Sequence, residues 1–187
     1  TDCSVGKMYT ALAIAQDLKS RGIPSDFRAT GQTGIFIAGS GVSVDAVVAD
    51  FISGATESLS PENNPNHWDL IEGQGSLFHP SYAGVTMGLI HGAQPDALVL
   101  CHEPTRSHMR GLAHQPIPDI KSCIDLHLNA AKLTNANAVC IGISVNTSGL
   151  SNEAERQDYL SGIESGTGLP AIDPVIDGVA SITKFMK

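Results

Sequence analysis

Aromatic residues make up only 5% of these 187 residues, with a single Trp. A core must therefore come from Val, Ile, Leu and Ala, for which an apolar content of 42% is sufficient. Basic residues are scarce as well: 11 Lys and Arg stand against 19 Asp and Glu, a formal charge of -8. That balance excludes a nucleic-acid surface, which needs a basic stripe. It does not exclude a small anion gripped by local geometry. No apolar run approaches the ~20 residues that span a bilayer, and no secretory signal is visible. There is no C-x-x-C pair. Cys3, Cys101, Cys123 and Cys140 are widely scattered, two of them inside apolar runs. We expect free thiols, a reducing cytoplasmic compartment and no disulfide framework.

What is present begins at the first residue. Asp2, Cys3, Ser4, Val5, Gly6 and Lys7 form most of a phosphate-binding loop. Such a loop hangs between a buried strand and a helix N-terminus, where backbone N–H groups and the helix dipole attract an anion. Three parts of the G-x-x-x-x-G-K-[ST] pattern are lacking: the leading Gly, the preceding strand, and the hydroxyl after the lysine. Met8 stands where that hydroxyl would ligate magnesium. The loop is thus expected to hold a phosphate rather than to drive magnesium-dependent phosphoryl transfer, unless Ser4, Thr10 or a remote acid compensates. Its place at residue 1 predicts a domain taken from a longer protein, and a gap in the sheet beside the helix that starts at Lys7.

Apolar periodicity predicts helices over 7–21, 43–59, 83–91, 120–133, 152–163 and 179–185. Strands are predicted over 26–29, 68–72, 97–101, 139–145 and 170–174. The stretch 31–41 is glycine-rich around Ile35, Phe36 and Ile37, and 61–66 reads as a surface loop. Strands alternating with helices imply an α/β fold: a three-layer parallel sheet with helices on both faces, P-loop NTPase-like, its first strand outside this chain. Ligands in such sheets sit at the carboxyl ends of the strands. Glu72, Gln74, His102, Glu103 and Asn146 all fall there.

Asp2-Cys3-Ser4-Val5-Gly6-Lys7, Thr30-Gly31-Gln32-Thr33-Gly34, Asp69 to Ser76 (with Glu72-Gly73-Gln74-Gly75), His79-Pro80 and Cys101-His102-Glu103-Pro104 together resemble the bacterial D-glutamate N-acetyltransferase family. A wider likeness is to dethiobiotin synthetase, an ATP-dependent ligase that keeps the hydroxyl replaced here by Met8. The family resemblance implies a Rossmann-like N-terminal domain, with residues 1–187 as one P-loop-like domain behind it. It implies acetyl transfer from acetyl-CoA, as co-substrate, to the amino group of D-glutamate. The phosphate loop would hold a CoA phosphate, and the chemistry then needs a base, oxyanion donors and cations for two carboxylates.

Glu72, His79 and His102 are the candidate catalytic groups. Gln74, Arg106, Arg110 and Asn146 are candidates for the substrate; Arg106 and Arg110 would share a face if their stretch were helical. His102 beside Glu103 invites a metal, but no third ligand has suitable spacing and no metal is expected. Two other activities stay open: an ATP- and Mg²⁺-dependent ligase or kinase, and a self-released N-terminal threonine nucleophile at Thr1. Expected partners are a small acidic amino acid, the N-terminal domain and further copies of the chain, with neither nucleic acid nor membrane.

Overall fold

The computed structural model describes residues 1–187. Seven helices and seven strands follow one another as α1 (Lys7–Ser20), β1 (Ser25–Arg28), α2 (Gln32–Ala38), α3 (Ile52–Leu59), β2 (Trp68–Ile71), α4 (Ala83–Ala93), β3 (Ala97–His102), β4 (His108–Met109), β5 (Leu112–Pro116), α5 (Ile120–Ala131), β6 (Val139–Val145), α6 (Glu153–Thr167), β7 (Ala171–Ile172) and α7 (Ala180–Thr183). No helix is long and apolar enough to cross a membrane. All four cysteines are free.

The parallel strands form two pieces, β1-β2 and β3-β6-β7. Between β2 and β3 lies a slot of about 510 Å³, with residues of α1 and α4 on its walls. The gap expected beside the helix from Lys7 is this slot. Helices cover both faces. Ile14 and Leu18 of α1 and Ile182 of α7 pack on Leu70, Ile141 and Ile172 from one side. Cys123 of α5 and Leu160 and Ile163 of α6 pack on Leu100, Ile143 and Val145 from the other. A bulge in β6 lets residues of adjacent number serve the same face. Ile141 joins the α1 side, and a Cβ on Gly142 would press 2.7 Å from Ile182.

Three stretches differ from their reading in the sequence. The stretch 43–59 is not one helix: Val44–Ala46 and Ala49–Phe51 are single 3-10 turns, and only Ile52–Leu59 is α-helical. Val47 and Val48 between them are extended, a state β-branched residues favour. The glycine-rich stretch 31–41 instead holds helix α2, ended by Gly39 at φ 74°. Arg106 and Arg110 share no helix face, because β4 and β5 form an antiparallel hairpin turning at Gly111.

Candidate functional site

The carboxyl ends of β2, β3 and β6 converge with the loop before α1. Ser4 and Gly6 both sit at positive φ, 53° and 96°, which curls the loop and turns successive N–H groups inward. Gly6 is the N-cap of α1 and offers no side-chain cap, and the first turn carries no acid. The leading N–H groups of a 14-residue helix are thus left for an anion. Lys7 closes the loop, its Nζ donating to Asp2 O at 2.5 Å. Burial holds its pKa below the usual lysine value.

Asp2 anchors the loop from below. It is fully buried, and its Oδ2 accepts from Arg106 Nη1 at 2.8 Å and from Arg110 N–H at 2.7 Å. The second carboxylate oxygen, Oδ1, has no hydrogen-bond partner. Arg106 also donates to Cys3 O and Ser4 O, so one guanidinium ties the loop to the chain after β3. Arg110 O lies 3.1 Å from His79 Nε2, while His79 Nδ1 accepts from Ser81 N–H. The β4–β5 hairpin is therefore the brace of the loop. Short strands and a polar sequence left it invisible in the pattern of residues 106–116.

Thr10 Oγ1 lies 2.8 Å from Ser144 Oγ and donates to Gly6 O, facing the interior. It is not turned to the loop mouth, so it does not replace the hydroxyl lost at Met8. Donor atoms of Asp2, Cys3 and His79 lie within 4.8 Å of one another. Both ring nitrogens of His79 and one Asp2 oxygen are already engaged, so the cluster offers few lone pairs to a cation.

His102 ends β3 and is buried. Its Nδ1 lies 3.0 Å from Thr1 Oγ1 and its Nε2 lies 2.7 Å from Tyr159 OH. Burial first, then the positive Thr1 nitrogen, push its pKa down to about 4, so the ring is neutral at physiological pH. Tyr159, on α6, escaped sequence reasoning because α6 is sequentially remote and a lone tyrosine carries no spacing signal. An open groove beside this pair is lined by His102, Arg106, Ser107, Lys121 and Tyr159 among others. Arg106 thus touches both the loop and the groove.

Glu72 follows β2 and is buried, its Oε2 accepting from the N–H groups of Thr30 and Gly31. Thr30 Oγ1 donates to Glu72 O, and Gln74 Nε2 donates to Thr30 Oγ1. These two residues face the start of α2 rather than the loop. A Cβ on Gly31 would stand 2.6 Å from Gln74 Nε2, so a side chain there would displace the Gln74 amide. Asn146 follows β6, its N–H donating to His102 O and its Oδ1 accepting from Ser148 N–H.

Two curated relatives are similar over almost the whole chain. The D-glutamate N-acetyltransferases of Pseudoalteromonas sp and of Tritonibacter scottomollicae are each 57% identical over 182 residues, covering 97% of this chain. The chain spans about half their length, 54% in each case. Among solved structures, a DUF1611 family protein from Anabaena variabilis superposes with a TM-score of 0.91 at 38% identity, over 98% of this chain and 54% of that one. The family described as a domain of unknown function, DUF1611_C P-loop domain, matches residues 1–183. An anion loop of this form, at the strand ends of a parallel sheet, in a chain matched over residues 1–183, places the protein in the DUF1611 family as its P-loop domain.

Proposed function

We propose that this domain serves an acetyltransferase that moves an acetyl group from acetyl-CoA to the amino group of D-glutamate. The carrying observation is a loop that keeps the open helix end and the lysine of a phosphate site but lacks the magnesium hydroxyl at Met8. CoA offers a diphosphate and a 3′-phosphate that such a loop can hold without a metal. The names of the two relatives support the reaction. Neither the ATP-dependent ligase nor the threonine nucleophile draws support from them.

In this reading Lys7 and the first N–H groups of α1 bind a CoA phosphate, and acetyl-CoA supplies the acyl group as a thioester. Arg106 fixes the loop against the groove. The amino acid lies in that groove, where Arg106 and Lys121 are the cations that line it; Arg110, Gln74 and Asn146 lie outside its lining. His102 receives the substrate proton through Tyr159: the phenol oxygen accepts it as the phenolic proton passes to Nε2. Glu72 and His79 hold the shape of the site through their backbone contacts.

Calorimetric titration of the full-length protein with acetyl-CoA in EDTA, and with ATP plus Mg²⁺, tests the reading. Acetyl-CoA should bind without metal. Lys7→Ala should weaken it by ~10- to 100-fold, the worth of one charged hydrogen bond at ~1.5–3 kcal/mol. Binding of ATP–Mg²⁺ alone would overturn it.

A further inference from the structure

The groove beside His102 carries more charge than the proton path uses. It measures about 670 Å³, inside the ~300–1,000 Å³ range of small-ligand sites, and lies between the start of α5 and one face of α6. Four charged side chains line it besides His102: Arg106, Lys121, Asp119 and Asp158. Two of the four are largely spent. Asp119 caps α5, accepting from Ser122 N–H at 2.9 Å and from Ser122 Oγ at 2.5 Å. Arg106 gives Nη1 to Asp2 and to Cys3 O, one Nη2 hydrogen to Ser4 O, and Nε to Glu103 at 3.5 Å. A guanidinium has five N–H groups, so a single Nη2 hydrogen remains.

Lys121 and Asp158 are available. Lys121 is 73% exposed and pairs with Asp125, one turn along α5, at 3.1 Å. Exposed pairs of this spacing are weak, and a carboxylate ligand can take the lysine over. The ion pairs of α6 belong to Glu153 and Arg156. Asp158 is exposed, stands outside those pairs and directly precedes Tyr159. The free groups of the groove are thus one ammonium, one guanidinium N–H and one carboxylate. That set is the complement of an amino acid with an acidic side chain, which carries two carboxylates and one ammonium.

The groove is also kept open. Tyr159, Gly162, Ile163 and Gly166 repeat at three- and four-residue spacing along α6 and share the face that lines it. A Cβ at Gly162 or Gly166 would meet nothing within 4 Å. Glycine is a poor helix former, and no neighbour demands it at these two positions. Here it leaves room beside Ile163 for the aliphatic part of a ligand.

Resting on the acetyltransferase reading above, we propose that the groove holds its amino acid at three charged points. Asp158 takes the ammonium beside Tyr159, the free Nη2 hydrogen of Arg106 takes the α-carboxylate, and Lys121 takes the side-chain carboxylate. Three fixed points around one Cα decide handedness, because the mirror-image acid reaches only two of them at once. Lys121 decides that the side chain is acidic, since a neutral amide leaves the lysine charge unanswered. The proton still leaves through Tyr159.

Steady-state kinetics of the full-length enzyme with D-glutamate, L-glutamate and D-glutamine test the three points. Lys121→Gln should raise the KM for D-glutamate at least tenfold, as loss of one charged hydrogen bond does. It should lower the preference for D-glutamate over D-glutamine by a similar factor. Asp158→Asn should cut the ratio of kcat/KM for D- over L-glutamate at least tenfold. Gly162→Leu should keep the thermal midpoint and the KM for acetyl-CoA, yet lose at least tenfold in kcat/KM for D-glutamate. Lys121→Gln and Asp158→Asn enzymes with wild-type KM and selectivity would overturn the three-point site while the acetyltransferase reading stood. So would a Gly162→Leu enzyme with wild-type kcat/KM. A wild-type enzyme that leaves D-glutamate unacetylated would overturn the reading itself, and the site with it.

Discussion

Each nitrogen of His102 has a partner, Thr1 Oγ1 on one side and Tyr159 OH on the other. A ring held near pKa 4 is a poor base for an ammonium group, and part of that depression comes from the positive Thr1 nitrogen beside it. With a peptide nitrogen there, burial and the Arg106 charge would still oppose protonation, but the ammonium contribution would be gone. His102 should therefore titrate higher in a chain extended past Thr1 than in chain 1–187, as followed by imidazole resonances across pH 3–8. Tyr159→Phe keeps the stacked ring and removes the hydroxyl of the proposed relay. It should lower kcat of the full-length enzyme by ~10-fold or more and leave the KM for acetyl-CoA unchanged. An unchanged kcat would remove Tyr159 from the proton path.

Helices α3 and α4 meet through glycine. A Cβ on Gly88 would press 2.6 Å from Ile52 Cγ2, and one on Gly92 would collide with the Ser53 carbonyl oxygen. Gly92→Ala must push the helices apart and should cost ~1–3 kcal/mol, read as a lower thermal midpoint. Gly84→Ala, on the same helix with nothing near its Cβ, should instead gain ~0.5–1 kcal/mol. Elements with strong apolar periodicity were legible from sequence: α1, α5 and strands β3 and β6 appear where their patterns put them. The misread stretches are those where local chemistry competes with tertiary contact. Val47 and Val48 extend between 3-10 turns although their spacing suits a helix. Thr30 and Gly31 give N–H groups to the distant Glu72, which orders a glycine-rich segment into α2. At the site, the loop and the strand-end residues were legible because topology alone collects them. The pairing of Arg106 with Asp2 and of Tyr159 with His102 depends on folded distances across 104 and 57 residues of sequence, which no spacing encodes.

At the scale of the molecule, two histidines, His102 buried and His127 half-buried, tie stability to pH. Burial lowers both His102 and His127 to about 4, from an unfolded value near 6.5. Between those values the unfolded chain binds more protons than the folded one, so stability falls as pH drops from about 6.5 to about 4. The slope has a ceiling of ~1.4 kcal/mol per pH unit for each histidine. Urea midpoints taken across that range should decline steadily, and His127→Asn should flatten part of the decline; a level midpoint would contradict the burial. The proposed function stands on a phosphate loop that grips CoA without magnesium. Its most direct test is thiol release from acetyl-CoA by the full-length protein in EDTA, with D-glutamate added and ATP left out. Turnover should depend on D-glutamate and be unaffected by the chelator. Turnover only on addition of ATP and Mg²⁺, or none with D-glutamate, would contradict it.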